Sequence, residues 1–254
     1  MKKYQKNLIL ALVCFLIVMV LNFFLPRLLP GNPIAYLTGF SEEDMTPAQV
    51  AYYRQALHLD KPVFVQFGYY LRSLADGTLG YSFKKEATVS ALIGQRLGYT
   101  LQITLPAVLL STVIGLLWGL RCGYKKGSSF EKISTTFQII VNTMPTFLIA
   151  LVLLILFCFR QRWFPYTGLN STGAVPGTAG YFWDRILPVL TLTIAAAPSR
   201  YLLMRNTVRQ VTEEKYVLYA KERGLSDSKI QFGYILKNIA QPFITMVGMS
   251  VSTC

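Results

Sequence analysis

Residues 8–25 read LILALVCFLIVMVLNFFL, eighteen residues without a charge. A bilayer's hydrocarbon core is about 30 Å thick, so a helix needs roughly 20 apolar residues to cross it. Further runs follow at about 100–120, 133–159 and 186–204, the last with Arg200 near its end. A fifth begins near Ile239 and continues to Cys254. Lipid offers no water to backbone N–H and C=O groups, so each run is expected to be a helix that satisfies them internally. Lys2, Lys3 and Lys6 precede the first run as they would a signal peptide. The run ends in Pro-Arg-Leu-Leu-Pro with no small-x-small cleavage site, and it therefore reads as an uncleaved span.

Composition agrees. The chain has 254 residues, 53% hydrophobic and only 15% charged, where an ordinary soluble domain carries roughly 25% charged residues. That balance excludes a disordered chain and argues against a single soluble domain. Cys14, Cys122, Cys158 and Cys254 are scattered and form neither a disulfide framework nor a zinc motif. One histidine, His58, leaves little room for metal chemistry, and no nucleophile or acid/base pair stands out in the runs. No enzyme activity and no cofactor are expected.

Basic residues orient the chain. With the N-terminus inside, segments 1–7, 121–132 and 200–238 are cytoplasmic and hold 15 Lys/Arg in 58 residues. The outer segments 26–99 and 160–185 hold 10 in 100. The net charge of +13 is thus read as topology and contact with anionic membrane lipid. No basic domain or stacking motif stands outside that pattern, so no nucleic acid is expected as a partner.

Two polar segments are long enough to carry structure of their own. In 26–99, Thr46-Pro47 reads as an N-cap with proline at the first helical position, opening a helix to about Leu57. After Pro62, Phe64, Phe67, Leu71 and Leu74 recur with helical period, and Asp76-Gly77 supplies a stop. The region is expected to be a helical cap on the outer face, or a lipid-facing amphipathic helix. In 205–238, Thr212 can cap a helix with Glu213 and Glu214 in its first turn. Lys221 and Arg223 fall in its last turn, Gly224 supplies a left-handed stop, and Ser226 can cap a second helix. Tyr216, Val217 and Ala220 form an apolar stripe. On the residues alone, this hairpin is equally a solvated linker or a docking element for a cytoplasmic partner.

The stretch EKYVLYAKERGLSDSKI at 214–230, followed by YILKNIAQP at 234–242, resembles the cytoplasmic loop of ATP-binding cassette importer permeases. The similarity is to the oligopeptide/dipeptide/nickel branch. That branch reads Tyr-Val-x-x-Ala-Arg-Ala-Lys-Gly-Leu-Ser, then His-x-Leu-Arg-Asn-Ala-x-x-Pro. Tyr216, Val217, Ala220, Gly224, Leu225, Ser226, Leu236, Asn238 and Pro242 match it. The likeness runs along nearly the whole chain: Leu29–Pro33, Leu57–Pro62, Asp76–Ser82, Arg96–Leu101, Met144–Phe147 and Leu187–Leu192 stand in the family's order. Departures are Tyr234 for the usual His, Lys237 for Arg, His58 for Gly, and Leu218 and Tyr219 where a looser form of the motif has Glu and Ala.

The resemblance implies an all-α, polytopic helical bundle in the bacterial inner (plasma) membrane, with a cytoplasmic N-terminus. The organisation expected is a tail and first span over 1–25, an extracytoplasmic cap over 26–99, and a permease domain over 100–254 with its coupling loop at 205–238. The family has six spans. Sixteen residues from Ile239 to Cys254 reach about 24 Å as a helix, so the chain is expected to be truncated within the fifth. Its implied function is import of di- or oligopeptides delivered by an external solute-binding protein, alternatively of nickel or another chelated metal. Implied partners are a second homologous permease and cytoplasmic ATP-binding subunits. No phosphate-binding Gly-x-x-x-x-Gly-Lys motif occurs here, which assigns ATP to those subunits. Tyr216, Ala220, Lys221, Gly224, Leu225, Ser226 and Asn238 are the candidate coupling residues. Candidates for the substrate path are Gln102, Thr104, Asn142 and Thr143, with Ser111, Thr112 and Thr191 behind them. Small polar residues in spans usually serve helix–helix hydrogen bonding, and that reading is favoured for these. Arg200 reads as snorkelling to the cytoplasmic surface, and Asn142 with Pro145 as a place where the third span loosens. A passive channel is the remaining class. It would need a selectivity ring, and the hairpin would then be idle.

Overall fold

The computed structural model describes residues 3–28, 34–35, 39, 45–166 and 175–252; the Leu29–Pro33 motif lies outside them. The chain divides into two compact units, Met1–Leu97 and Gly98–Cys254.

In the first unit, α1 (Lys3–Leu28) leaves most of its apolar side chains exposed, as a lipid-facing span does. The helix runs past Pro26, where the run was expected to end. Arg27 folds back to donate from Nη1 to the Phe23 carbonyl (2.9 Å) and from Nε to Gln66 Oε1 (2.9 Å), which closes the last turn. α2 (Pro47–Ala56) starts at Thr46 with a complete capping box: Gln49 N–H donates to Thr46 Oγ1, and Gln49 Oε1 accepts from Thr46 N–H. α3 (Val63–Ala75) sets Phe67 and Tyr70 against Phe23, with ring centroids 5.0 and 5.4 Å away, while Phe64 and Leu71 stay exposed. A small ribbon departs from the all-helical expectation: β1 (Tyr81–Ser82) pairs antiparallel with β2 (Ala87–Thr88) around a turn with Glu86 at φ 49°.

α4 (Val89–Tyr124) carries the chain across the division. The second unit continues with α5 (Ser129–Thr143), α6 (Thr146–Leu154) extended by a π-helix at Ile155–Arg160, and α7 (Ala179–Thr212). Then come α8 (Lys215–Glu222), α9 (Asp227–Lys229), a second π-helix at Ile230–Ile235 and α10 (Leu236–Ser252). The continuous third span expected at 133–159 is a bent pair instead: α5 and the α6 helix meet at 98°. Pro145 lacks the N–H a through-going helix needs and disfavours helical geometry at Met144, which is extended at ψ 130°. Among the described residues α1, α4 and α7 are long and apolar enough to cross a membrane, and the bent pair makes a fourth span if it counts as one.

Gly115, Gly119 and Gly123 let α4 touch α7. A Cβ on Gly119 would lie 2.7 Å from Met204 Cβ, and one on Gly115 2.6 Å from Arg200 Cβ. Arg200 is therefore not a snorkelling cation. It is 4% exposed, held under α4, and its Nη1 donates to the Ala196 carbonyl at 3.1 Å. Trp118 Nε1 donates to Ser134 Oγ (3.0 Å), and Thr135 shares a 2.9 Å hydrogen bond with Tyr201, so α4, α5 and α7 are cross-linked.

Candidate functional site

The hairpin begins two residues later than its sequence suggested. Thr212 is the last residue of α7, and its hydroxyl donates to the Val208 carbonyl rather than capping the next helix. A hydroxyl one turn from a free carbonyl bonds backwards as readily as it caps. Glu214 takes the cap position of α8, with no side-chain hydrogen bond.

α8 ends in a Schellman turn. Gly224 N–H donates to the Lys221 carbonyl (2.9 Å), Leu225 N–H to the Ala220 carbonyl (3.3 Å), and Gly224 sits at φ +70°. Ser226 occupies the cap position of α9 through its backbone, with Ile230 N–H donating to its carbonyl. Asn238 Nδ2 donates to the Tyr234 carbonyl at 2.7 Å, inside its own helix.

The turn rests on the ends of the spans. Val217 and Ala220 are buried in one apolar cluster with Leu120 and Tyr124 of α4, Met204 and Val208 of α7, and Ile230, Ile235 and Ile239 beyond the turn; Leu225 packs against it. Polar ties surround that cluster. Tyr124 Oη donates to Asp227 Oδ1 (2.9 Å), Lys125 Nζ lies 3.8 Å from Asp227 Oδ2, and Lys126 Nζ pairs with Glu213 at 3.0 Å. Lys221 Nζ stands 4.9 Å over the Tyr124 ring. Behind them Glu131, 4% exposed, receives Arg205 through Nε (2.7 Å) and Nη2, and its other oxygen accepts from Gly127 N–H (3.1 Å). α8, the turn and the α4–α5 corner thus form one packed block.

What the block leaves outside is one face of α8: Leu218, Tyr219, Glu222 and Arg223 are exposed, with Tyr219 62% exposed. Tyr216 lies at the edge of that face. Burial, and then the Glu214 carboxylate, push its phenol above the usual range and keep it neutral. Of the candidate coupling residues, Lys221, Gly224, Ser226 and Asn238 are exposed too, whereas Ala220 is interior and Leu225 half-buried. The two positions that depart from the looser family motif, Leu218 and Tyr219, are the large apolar side chains on this face of α8.

The candidate path residues do not gather at one place. Thr104, Ser111, Thr143 and Thr191 hydrogen-bond to carbonyls of their own helices. Asn142 and Thr143 are exposed beside the bend, and Thr112 is buried. Gln102 alone among them bridges helices: its Oε1 accepts from Tyr181 Oη (2.6 Å) and Arg185 Nε (2.8 Å) of α7. The hydropathy reading missed Tyr181, Asp184 and Arg185 because they lie just before the apolar run it placed at 186–204. Glu131 and Arg205 were missed because the partners lie 74 residues apart.

Residues 111–253 match the profile of the binding-protein-dependent transport system inner membrane component, and residues 1–104 match its N-terminal companion. The chain belongs to this family. It is 32% identical over 96% of its length to the oligopeptide transport system permease protein OppB of Haemophilus influenzae, covering 76% of that protein. A probable peptide ABC transporter permease of Sinorhizobium fredii is 29% identical over 96% of this chain and 77% of its own length. The dipeptide transport system permease protein DppB of Lactococcus lactis subsp. cremoris is 28% identical over 98% and 77%. This permease is accordingly a multi-pass inner-membrane transport component and not an enzyme.

Proposed function

We propose that this chain is the membrane-spanning subunit of an ATP-driven importer that carries di- and oligopeptides handed to it by an external binding protein. The observation that carries the reading is similarity, along nearly all of this chain, to permeases named for peptide, oligopeptide and dipeptide transport, which favours peptides over a nickel chelate. In this reading a second homologous permease completes the path, and cytoplasmic ATPases grip the exposed face of α8 through Leu218 and Tyr219, with Tyr216 and Lys221 at its edges. Ala220 and Leu225 seat α8 on the spans. Gly224 and Ser226 shape the turn, and Asn238 braces the helix beyond it. Nucleotide-driven closure of the ATPases would push the block and bias the spans between two states. The N-terminus and the hairpin would lie in the cytoplasm, on the basic-residue balance.

The test is reconstitution. The chain is co-expressed with a second homologous permease, ATPase subunits and a peptide-binding protein from the same genome, purified, and placed in liposomes. ATP-dependent accumulation of a labelled tripeptide is the expected result. Isolation as a homo-oligomer without an ATPase, or accumulation of a nickel chelate but no peptide, would overturn it.

A further inference from the structure

Asp184 stands in the second turn of α7 and is 7% exposed. Its Oδ2 is enclosed and accepts no hydrogen bond. The neighbouring cation does not serve it. The Arg185 guanidinium is drawn back along the helix, with Nη1 donating to the Tyr181 carbonyl (2.5 Å), Nε to Gln102 Oε1 (2.8 Å) and its carbon 3.3 Å over the Tyr181 ring. Spacings of three and four residues put Asp184 and Arg185 on the same helix face as Tyr181, and Tyr181 and Arg185 both hold the oxygen of the exposed Gln102 side chain. A carboxylate oxygen enclosed without a donor is costlier than one that is paired. A donor that arrives with each turnover would pair it only when the transporter is loaded.

We infer that Asp184 is a substrate-binding residue of the transport path, accepting hydrogen bonds from the N-terminal ammonium of the peptide. The inference rests on the peptide reading above. Asp184 lies toward the extracytoplasmic end of α7 in the proposed orientation, where a peptide released by the binding protein first meets the spans. It is closed off in this conformation, as a subsite that opens in one half of an alternating cycle would be. The amine, not the side chains, is the recognised group, and every free peptide presents one.

The experiment uses the complete transporter in liposomes, with one binding-protein preparation throughout, and compares uptake of trialanine with N-acetyl-trialanine. Asp184→Asn is expected to lower the free-to-acetylated uptake ratio about tenfold relative to the unsubstituted transporter, the size of a charge-assisted hydrogen bond. Asp184→Glu, which keeps the charge, should retain most of the ratio. An unchanged ratio in Asp184→Asn overturns the inference, as it would if a basic residue of the second permease held the carboxylate. A second readout needs no variant. Modification of Asp184 by dicyclohexylcarbodiimide, followed by mass spectrometry, should be suppressed by trialanine and not by its acetylated form. Equal modification under both conditions overturns the inference as well. Failure of the peptide reading itself looks different: the unsubstituted transporter then takes up neither peptide.

Discussion

Gly224 and Gly119 are both glycines for reasons a sequence does not separate. A Cβ on Gly224 meets nothing within 4 Å, so its requirement is the backbone angle of +70° alone. Gly119 has an ordinary helical backbone, and a Cβ there would meet Met204 Cβ at 2.7 Å. Gly224→Asn, which tolerates the left-handed region, should therefore keep uptake coupled to ATP hydrolysis, and Gly224→Val should not, because a β-branched residue resists positive φ. The peptide-to-ATP ratio in liposomes measures this, and native coupling in the valine variant would remove the turn from the mechanism. His58 poses the same problem in the other unit. It stands where the family usually has glycine, at φ 55°, in a Schellman turn closed by Leu59 N–H to the Arg54 carbonyl (2.9 Å). Its ring stacks on Tyr69 at 4.3 Å. Glycine and alanine both lose that stacking, but only alanine keeps the left-handed strain. His58→Gly should thus exceed His58→Ala in stability by about 1 kcal/mol, read from unfolding in detergent.

Among elements, charges tie the corner between α4 and α5 to α7 through Glu131 and Arg205, and to the hairpin through Lys126 with Glu213 and Lys125 with Asp227. Glu131→Ala strands the Arg205 guanidinium in the interior, and removal of one partner of a buried pair costs about 3–5 kcal/mol. Thermal unfolding should register that loss, and replacing both residues by methionine should recover most of it. If the single and double variants melted alike, the pair would not be what locks this corner. The bend between α5 and α6 makes an equally concrete claim. Spin labels at Ile133 and Ile155 would stand about 33 Å apart on a straight helix, and about 22 Å apart across the observed 98° bend. Pulsed electron–electron distance measurement in nanodiscs is expected to return the shorter value. Pro145 was legible in advance as a place of weakness. The size of the bend was not, because it depends on how α5 and α6 each pack against α7.

At the scale of the whole molecule, distribution of charge and distribution of apolar length make separate predictions that have to agree. The proposed orientation, drawn from the balance of basic residues, puts 200–238 inside the cell and 26–99 outside. In a cysteine-free background, Lys61→Cys should react with a membrane-impermeant maleimide added to intact spheroplasts, and Ser228→Cys only after the membrane is opened. The reverse pattern would invert the proposed orientation and detach the hairpin from any cytoplasmic motor. The sequence by itself determined that this is a helical membrane protein, which family it belongs to, and where the Thr46 cap and the Gly224 turn fall. Those properties depend on the length of apolar runs and on local backbone chemistry, both written in neighbouring residues. Only the tertiary structure decided that Ala220 lies inside and Tyr219 outside, that Thr212 ends one helix instead of starting the next, that Arg200 is enclosed, and that Asp184 Oδ2 is enclosed without a donor. Each of those depends on which distant segment comes to lie against a residue, and burial and pairing are properties of that contact, not of the residue alone.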